Sequence, residues 1–163
     1  MDDVFSPPGH VWAPVSPALA RLRRVLLASV CVVWLVAVGA GVLTMSLPGW
    51  VWVVAVLPPA VALGVGWVLI GRNTRWWGYA ERDDELVIRH GALFRELVVV
   101  PYGRMQYVDV QSGPLEQLFK VASVHLHTAS PGTSARIPGL PAAEAARLRD
   151  RLTSLGESQA AGL

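Results

Sequence analysis

Forty-seven consecutive positions, Val25 to Gly71, contain no Asp, Glu, Lys, Arg or His. All 26 formal charges fall in residues 1–24 and 72–163. The first apolar run, Val25 to Leu47, has 23 residues. That is about 34 Å as a helix, against roughly 30 Å for a bilayer core. The second run, Trp50 to Gly71, has similar reach, and Pro48-Gly49 between them can break the helix and reverse the chain. Buried helices of soluble proteins keep a polar face, and these runs have none. The block therefore reads as a transmembrane hairpin over 25–71, with spans at 25–47 and 50–71.

A secretory signal is the competing reading of the first run. Its apolar core is roughly 7–15 residues and ends at a small-residue cleavage site. Here the run is longer and a second span follows it. Arg23-Arg24 before an apolar run has the form of a twin-arginine export signal, but the second span favours a topological role for these arginines. Arg21, Arg23 and Arg24 precede the first span, and Arg72, Arg75 and Arg82 follow the second. The connecting turn is uncharged, so the positive-inside rule predicts both termini in the cytoplasm, with the chain in the plasma membrane. Trp50 and Trp52 are expected at the outer interface, and Trp76 and Trp77 near the inner one.

Pro58 and Pro59 interrupt the second span. Proline removes backbone donors, so a packing bend is expected there, with neighbours satisfying the freed carbonyls. A broken helix lining a transport path is the alternative, but no ionisable residue accompanies the pair. Ala37, Gly41, Ala60 and Gly64 stand four apart in pairs and would allow close helix contact, within the hairpin or between chains. Cys31 is the single cysteine, inside an apolar run, and is expected to pack as a small hydrophobe.

After Arg75 the texture changes to short β-rich segments separated by turn residues. Strands are predicted within 75–83, 85–91, 92–101, 104–113, 121–129 and 134–139, with a turn at Gly91. Gln106 sharing a face with Val108 and Val110 breaks strict alternation, leaving the register there open. Pro114 opens a short helix, and Pro141 opens a longer one whose apolar stripe is Ala145, Leu148, Leu152 and Leu155. The expected division is a cytoplasmic N-terminal lead over 1–24, proline-rich and unstructured over 6–17, then the hairpin, a small β-rich domain over 72–155, and a disordered tail over 156–163. A curved sheet or partly open barrel covered by the last helix would satisfy a domain of this size.

Within this region the sequence resembles the bacterial pleckstrin-homology-like domain of YdbS-like membrane proteins. The resemblance rests on Ile88, Arg89, Gly91, Leu93 and Arg95; on Pro101, Tyr102, Arg104, Met105, Gln106 and Val108; and on Gln111, Gly113, Pro114, Leu115 and Glu116. His127-Thr128-Ala129 and Ile137 to Leu140 complete it, over residues 20 to 155. Tyr102 stands where leucine is more usual, and Gln117-Leu118 where Arg-Leu is. The resemblance implies a partly open, seven-strand barrel with a C-terminal helix. It also implies a membrane-anchored protein without known catalysis, often paired with a larger membrane protein carrying several such domains. Arg89, Gly91, Arg95, Pro101, Arg104, Gln106, Gly113, Pro114, Leu115 and Glu116 are on this basis the candidate interaction residues.

Eleven basic and ten acidic residues in 72–163 leave the domain near neutrality, so nucleic acid is not an expected partner. No nucleophile elbow, zincin motif, Walker loop or paired-cysteine motif occurs. No enzyme activity and no cofactor are expected. His125 and His127 face one side of a predicted strand and could hold a metal with a third ligand, but they read more simply as strand residues, and His90 as solvated. Glu81-Arg82-Asp83-Asp84-Glu85 reads as a solvated acidic turn. Its sign disfavours phosphoinositide binding through this loop, which needs basic residues. Arg89, Arg95 and Arg104 are candidates for a basic patch, with Glu85 and Glu96 near enough in sequence to neutralise it. The expected function is a binding or scaffold module at the cytoplasmic face, working with another membrane protein of the same domain family or with itself, in envelope or stress maintenance. An oligomeric two-span channel or transport subunit is the alternative.

Overall fold

The computed structural model describes residues 11–45, 48–128 and 134–161. Residues 1–10 of the lead, Ser46 and Leu47 before the turn, Ala129, and the last two residues of the expected tail lie outside them. The chain forms two compact units: Ala20–Arg72, and a second that joins the segment up to Leu19 with everything from Asn73.

The first unit is the hairpin. Helix α1 spans Pro17–Met45 and α2 spans Trp50–Trp76. Pro48 and Gly49 start α2 by accepting the amides of Val51 and Trp52 at 3.0 and 3.2 Å. Only 11% of the most apolar stretch of each helix is buried. A soluble core hairpin would bury that surface, whereas two helices this long and apolar suit a lipid setting. The helices run antiparallel: Leu27 meets Gly66, Cys31 donates its thiol to the Pro59 carbonyl at 3.8 Å, and Gly39 meets Trp52. Close approach thus uses Gly39 and Gly66. Gly41 and Gly64 have open space around them, so within this hairpin they make no such approach.

Helix α1 begins earlier than the uncharged run. Ser16 caps it, its hydroxyl accepting the Ala18 amide at 3.2 Å and its carbonyl the Leu19 amide at 3.0 Å. Pro17 takes the first helical position, where its missing N–H loses nothing. Ahead of the cap, Ala13–Pro14 forms a short edge strand, β1. The lead expected to be unstructured is therefore ordered over its described part, and Val15 and Leu19 enter the domain core.

That core lies between two antiparallel sheets. The first has the order β1-β2-β3-β4, with β2 at Gly78–Glu81, β3 at Glu85–His90 and β4 at Glu96–Pro101. The second has the order β5-β6-β7, with β5 at Met105–Gln111, β6 at Val121–Thr128 and β7 at Ala135–Pro141. The pairing of β5 with β6 slips between Met105 and Tyr107, a bulge that explains the broken alternation at Gln106. Residues 92–95, expected in a strand, form the loop between β3 and β4 instead.

Helix α3 (Pro114–Leu118) sits between β5 and β6, and α4 (Ala142–Ala161) follows β7. Ala145, Leu148 and Leu152 are completely buried, with Leu155 packed beside them, so the predicted stripe is the face α4 lays on the sheets. Each such leucine contributes about 1.5–3 kcal/mol. The tail expected to fray continues α4 to Ala161, and Gln159 donates to Asp84 at 3.2 Å, tying that last turn to the β2–β3 turn.

Candidate functional site

The residues singled out in the sequence separate into distinct places in the domain. Arg89, Gly91 and Arg95 lie at one end of the β3–β4 hairpin. Glu85 pairs with Pro101 at the opposite end, and Arg104 lies beyond that end. Of the three arginines considered as a basic patch, Arg104 therefore stands apart from Arg89 and Arg95. Arg89 stacks on Trp12 at 4.3 Å and Arg95 on Trp76 at 3.9 Å. Burial lowers the pKa of Arg89 from its ordinary value. Glu96 faces His90 at 3.5 Å, and Glu85 pairs with Arg82.

The Gly113-Pro114-Leu115-Glu116 box makes a turn. Glu116 reaches back to the Gly113 amide at 2.9 Å with one oxygen and accepts the Ser123 hydroxyl at 3.0 Å with the other. Arg136 donates to Ser123 at 3.0 Å and lies 3.8 Å from Glu116. The carboxylate satisfies a helix-end donor and links α3 to β6 and β7. Tyr102 is fully buried, and its hydroxyl donates to the Arg82 carbonyl at 2.9 Å. Burial raises its pKa, with the Glu81 charge adding to the effect.

The acidic turn is not merely solvated. Glu81 accepts Arg147 at 2.6 Å and lies 2.9 Å from Arg151, both on α4. Arg147 also donates to Glu144, which takes the Tyr79 hydroxyl at 2.7 Å. The Arg147 hydrogen bond holds Glu144 below the usual carboxylate range. The Arg147 and Arg151 partners, 66 and 70 positions further along the chain, have no signature at the turn itself.

His125 and His127 do share a face, with ring centroids 6.4 Å apart, and His127 stacks on Tyr107 at 4.2 Å. Burial, with Arg136 nearby, holds the His125 pKa below its usual value. Among the described residues no three His, Cys, Asp or Glu side chains come together as metal ligands.

Gln106 lies on a groove that no single motif announced. Met105, Gln106, Tyr107 and Val108 of β5 form one wall, and Leu152, Thr153, Gly156 and Glu157 of α4 the other, around a volume of about 310 Å³. Among the described residues β5 is the outer strand of its sheet, an edge of the kind that presents unpaired backbone groups. The bulge in this strand was legible only as imperfect alternation.

In the hairpin unit, Arg24 stacks on Trp67 at 4.4 Å. Arg21, Arg23 and Arg72 belong to the same unit, while Arg75, Trp76 and Trp77 belong to the domain unit. Trp77 packs on the domain core and stacks on His90 at 4.7 Å, so it is partly a core residue rather than purely interfacial. Trp50 and Trp52 lie at the turn end of α2. Ser29 and Thr44 donate back to Leu26 and Ala40 of their own helix.

Two apolar helices followed by two small sheets and a closing helix define a membrane protein with a pleckstrin-homology-like domain. The chain belongs to the bacterial PH domain family, whose model matches residues 17–155. It is similar to the transmembrane protein YdbS of Bacillus subtilis (strain 168), 33% identical over 151 residues covering 91% of this chain and 92% of that one. No solved structure matches it significantly.

Proposed function

We propose that this protein is a non-catalytic binding module of the bacterial plasma membrane, whose PH-like domain engages a partner membrane protein at the cytoplasmic face. The groove between β5 and α4 is the observation that carries the reading. An extended segment of a partner can align with an outer strand while α4 supplies exposed wall residues, Thr153 and Glu157 among them. Tethering raises the local concentration of domain and partner, so modest contacts suffice. Envelope or stress maintenance is the process this arrangement suits.

Arginines flank both spans and the turn is uncharged, which supports cytoplasmic termini. One domain core also draws on Val15 and Leu19 from before the hairpin and on Leu126 and Ile137 from after it, which fits two crossings that return the chain to the same side. The hydroxyls of Ser29 and Thr44 are occupied by their own helix, so they lend nothing to a channel reading.

Photocrosslinking from position 107 in the full chain, in native membranes, tests the proposal. The expected result is a discrete adduct with a second membrane protein, lost when Gly156→Trp fills the groove. An adduct between two copies would assign the groove to self-association. Absence of any adduct, with the chain present at normal level, overturns the reading.

A further inference from the structure

Leu93 and Phe94, at the tip of the β3–β4 hairpin, are 77% and 90% exposed. The tip is a formed turn. Gly91 has φ +92°, and a Cβ there would overlap the Phe94 carbonyl oxygen. Only glycine lets the chain double back so tightly, and the return presents Leu93 and Phe94 outward.

The surroundings say what covers them. Trp12 stacks on Arg89, Trp77 on His90 and Trp76 on Arg95, so indole, guanidinium and imidazole groups collect at this one end of the hairpin. Mixed tryptophan and arginine is the composition of a membrane–water interface. Trp76 is also the last residue of α2, five positions after Gly71, where the uncharged run ends. Along a helix that is about 7.5 Å, comparable to the headgroup layer of one leaflet, roughly 5–8 Å thick. Arg95 lies 3.9 Å from the Trp76 ring. Five residues of chain thus separate Trp76, on which Arg95 stacks, from the end of the uncharged run.

We propose that the β3–β4 loop inserts Leu93 and Phe94 into the acyl boundary of that leaflet, with Arg95 and Arg89 at phosphate level. The loop is a second lipid contact, separate from the hairpin, and the occupant of the exposed apolar tip is the bilayer. Side chains of this kind, apolar at the point and cationic at the shoulder, suit the layered chemistry of phospholipid. The proposal does not depend on what the groove between β5 and α4 binds.

Nitroxide labelling of the full chain tests it. Cys31→Ser removes the native thiol, and single variants Leu93→Cys, Phe94→Cys and Arg104→Cys place the label in turn. Arg104 is the aqueous reference, beyond the far end of β4. The proteins are reconstituted in phosphatidylethanolamine–phosphatidylglycerol vesicles, and collisions with oxygen and with a neutral nickel chelate are compared. The expected oxygen-to-nickel ratio is several-fold higher at 93 and 94 than at 104. Equal ratios at all three positions overturn the proposal. Spectral broadening at 94 that disappears on dilution with lipid also overturns it, by assigning the tip to contact between two copies. All three labelled positions are exposed, and unchanged circular dichroism verifies each fold before comparison.

Discussion

Trp34 donates its indole N–H to the Ala55 carbonyl at 3.2 Å, and Ala55 is the residue whose helical acceptor Pro59 leaves without a donor. A side chain on α1 thus repairs the hydrogen-bond ladder of α2 at the point where proline breaks it. Trp34→Phe keeps most of the ring and removes the donor. It is expected to destabilise the hairpin by about 1 kcal/mol. In a Pro59→Ala background the restored amide takes over the carbonyl, so the same change should have almost no effect. Unfolding of the four proteins of this cycle in mixed micelles measures the coupling. Equal losses in both backgrounds would refute the repair.

Leu19 is the second case of a residue serving a distant element. It is buried in the domain core, and a Cβ at Gly139, whose φ is +69°, would come within 2.6 Å of the Leu19 Cβ. Leu19→Ala is expected to lower the stability of the domain by about 2–4 kcal/mol. Gly139→Val should cost more, because strain adds to the clash. Hydrogen exchange of β6 and β7 amides reads the effect. Unchanged protection in Leu19→Ala would show that the N-terminal segment is dispensable.

Glu116 tests whether its box is architectural. Glu116→Ala leaves the Gly113 amide and the Ser123 hydroxyl without their acceptor. The expected loss is about 1–2 kcal/mol. Glu116→Gln retains an acceptor oxygen and should recover more than half of it, losing only the charge toward Arg136. Thermal melts compare the two, and equal losses would argue against capping.

Acid should weaken the domain in two stages. Burial depresses the His125 pKa and Arg147 depresses that of Glu144. In each case the unfolded chain binds more protons across the window between the two pKa values, so stability falls as pH falls. The first decline begins below the ordinary histidine value of about 6.5, and the second below the ordinary glutamate value of about 4.3. His125→Gln should remove the first and leave the second. Denaturation midpoints between neutral and acidic pH check both.

Much of this architecture was written locally. The uncharged run spelled out the hairpin, and the period of Ala145, Leu148, Leu152 and Leu155 marked the buried face of α4. Gly91 marked the β3–β4 turn because its φ is one that other residues rarely adopt. What escaped was long-range. Ser16-Pro17 is a legible cap and first-turn pair, yet the surrounding prolines masked it. The Glu81–Arg147 and Glu81–Arg151 pairs depend on α4 folding back over the β2–β3 turn, a distance no local pattern encodes. The groove beside Gln106 needs α4 to lie alongside β5, and the sequence of β5 shows only a lapse in alternation where its pairing with β6 slips.

The split origin of the core bears on how the protein is made. Val15 and Leu19 leave the ribosome first, but the strands they pack against lie beyond both crossings. The domain therefore cannot close until the second helix has been threaded and the chain has come back. A hairpin inserted with the wrong parity would strand the two halves of one hydrophobic interior on opposite faces of the bilayer. Completion of the fold is in this way a built-in inspection of membrane insertion.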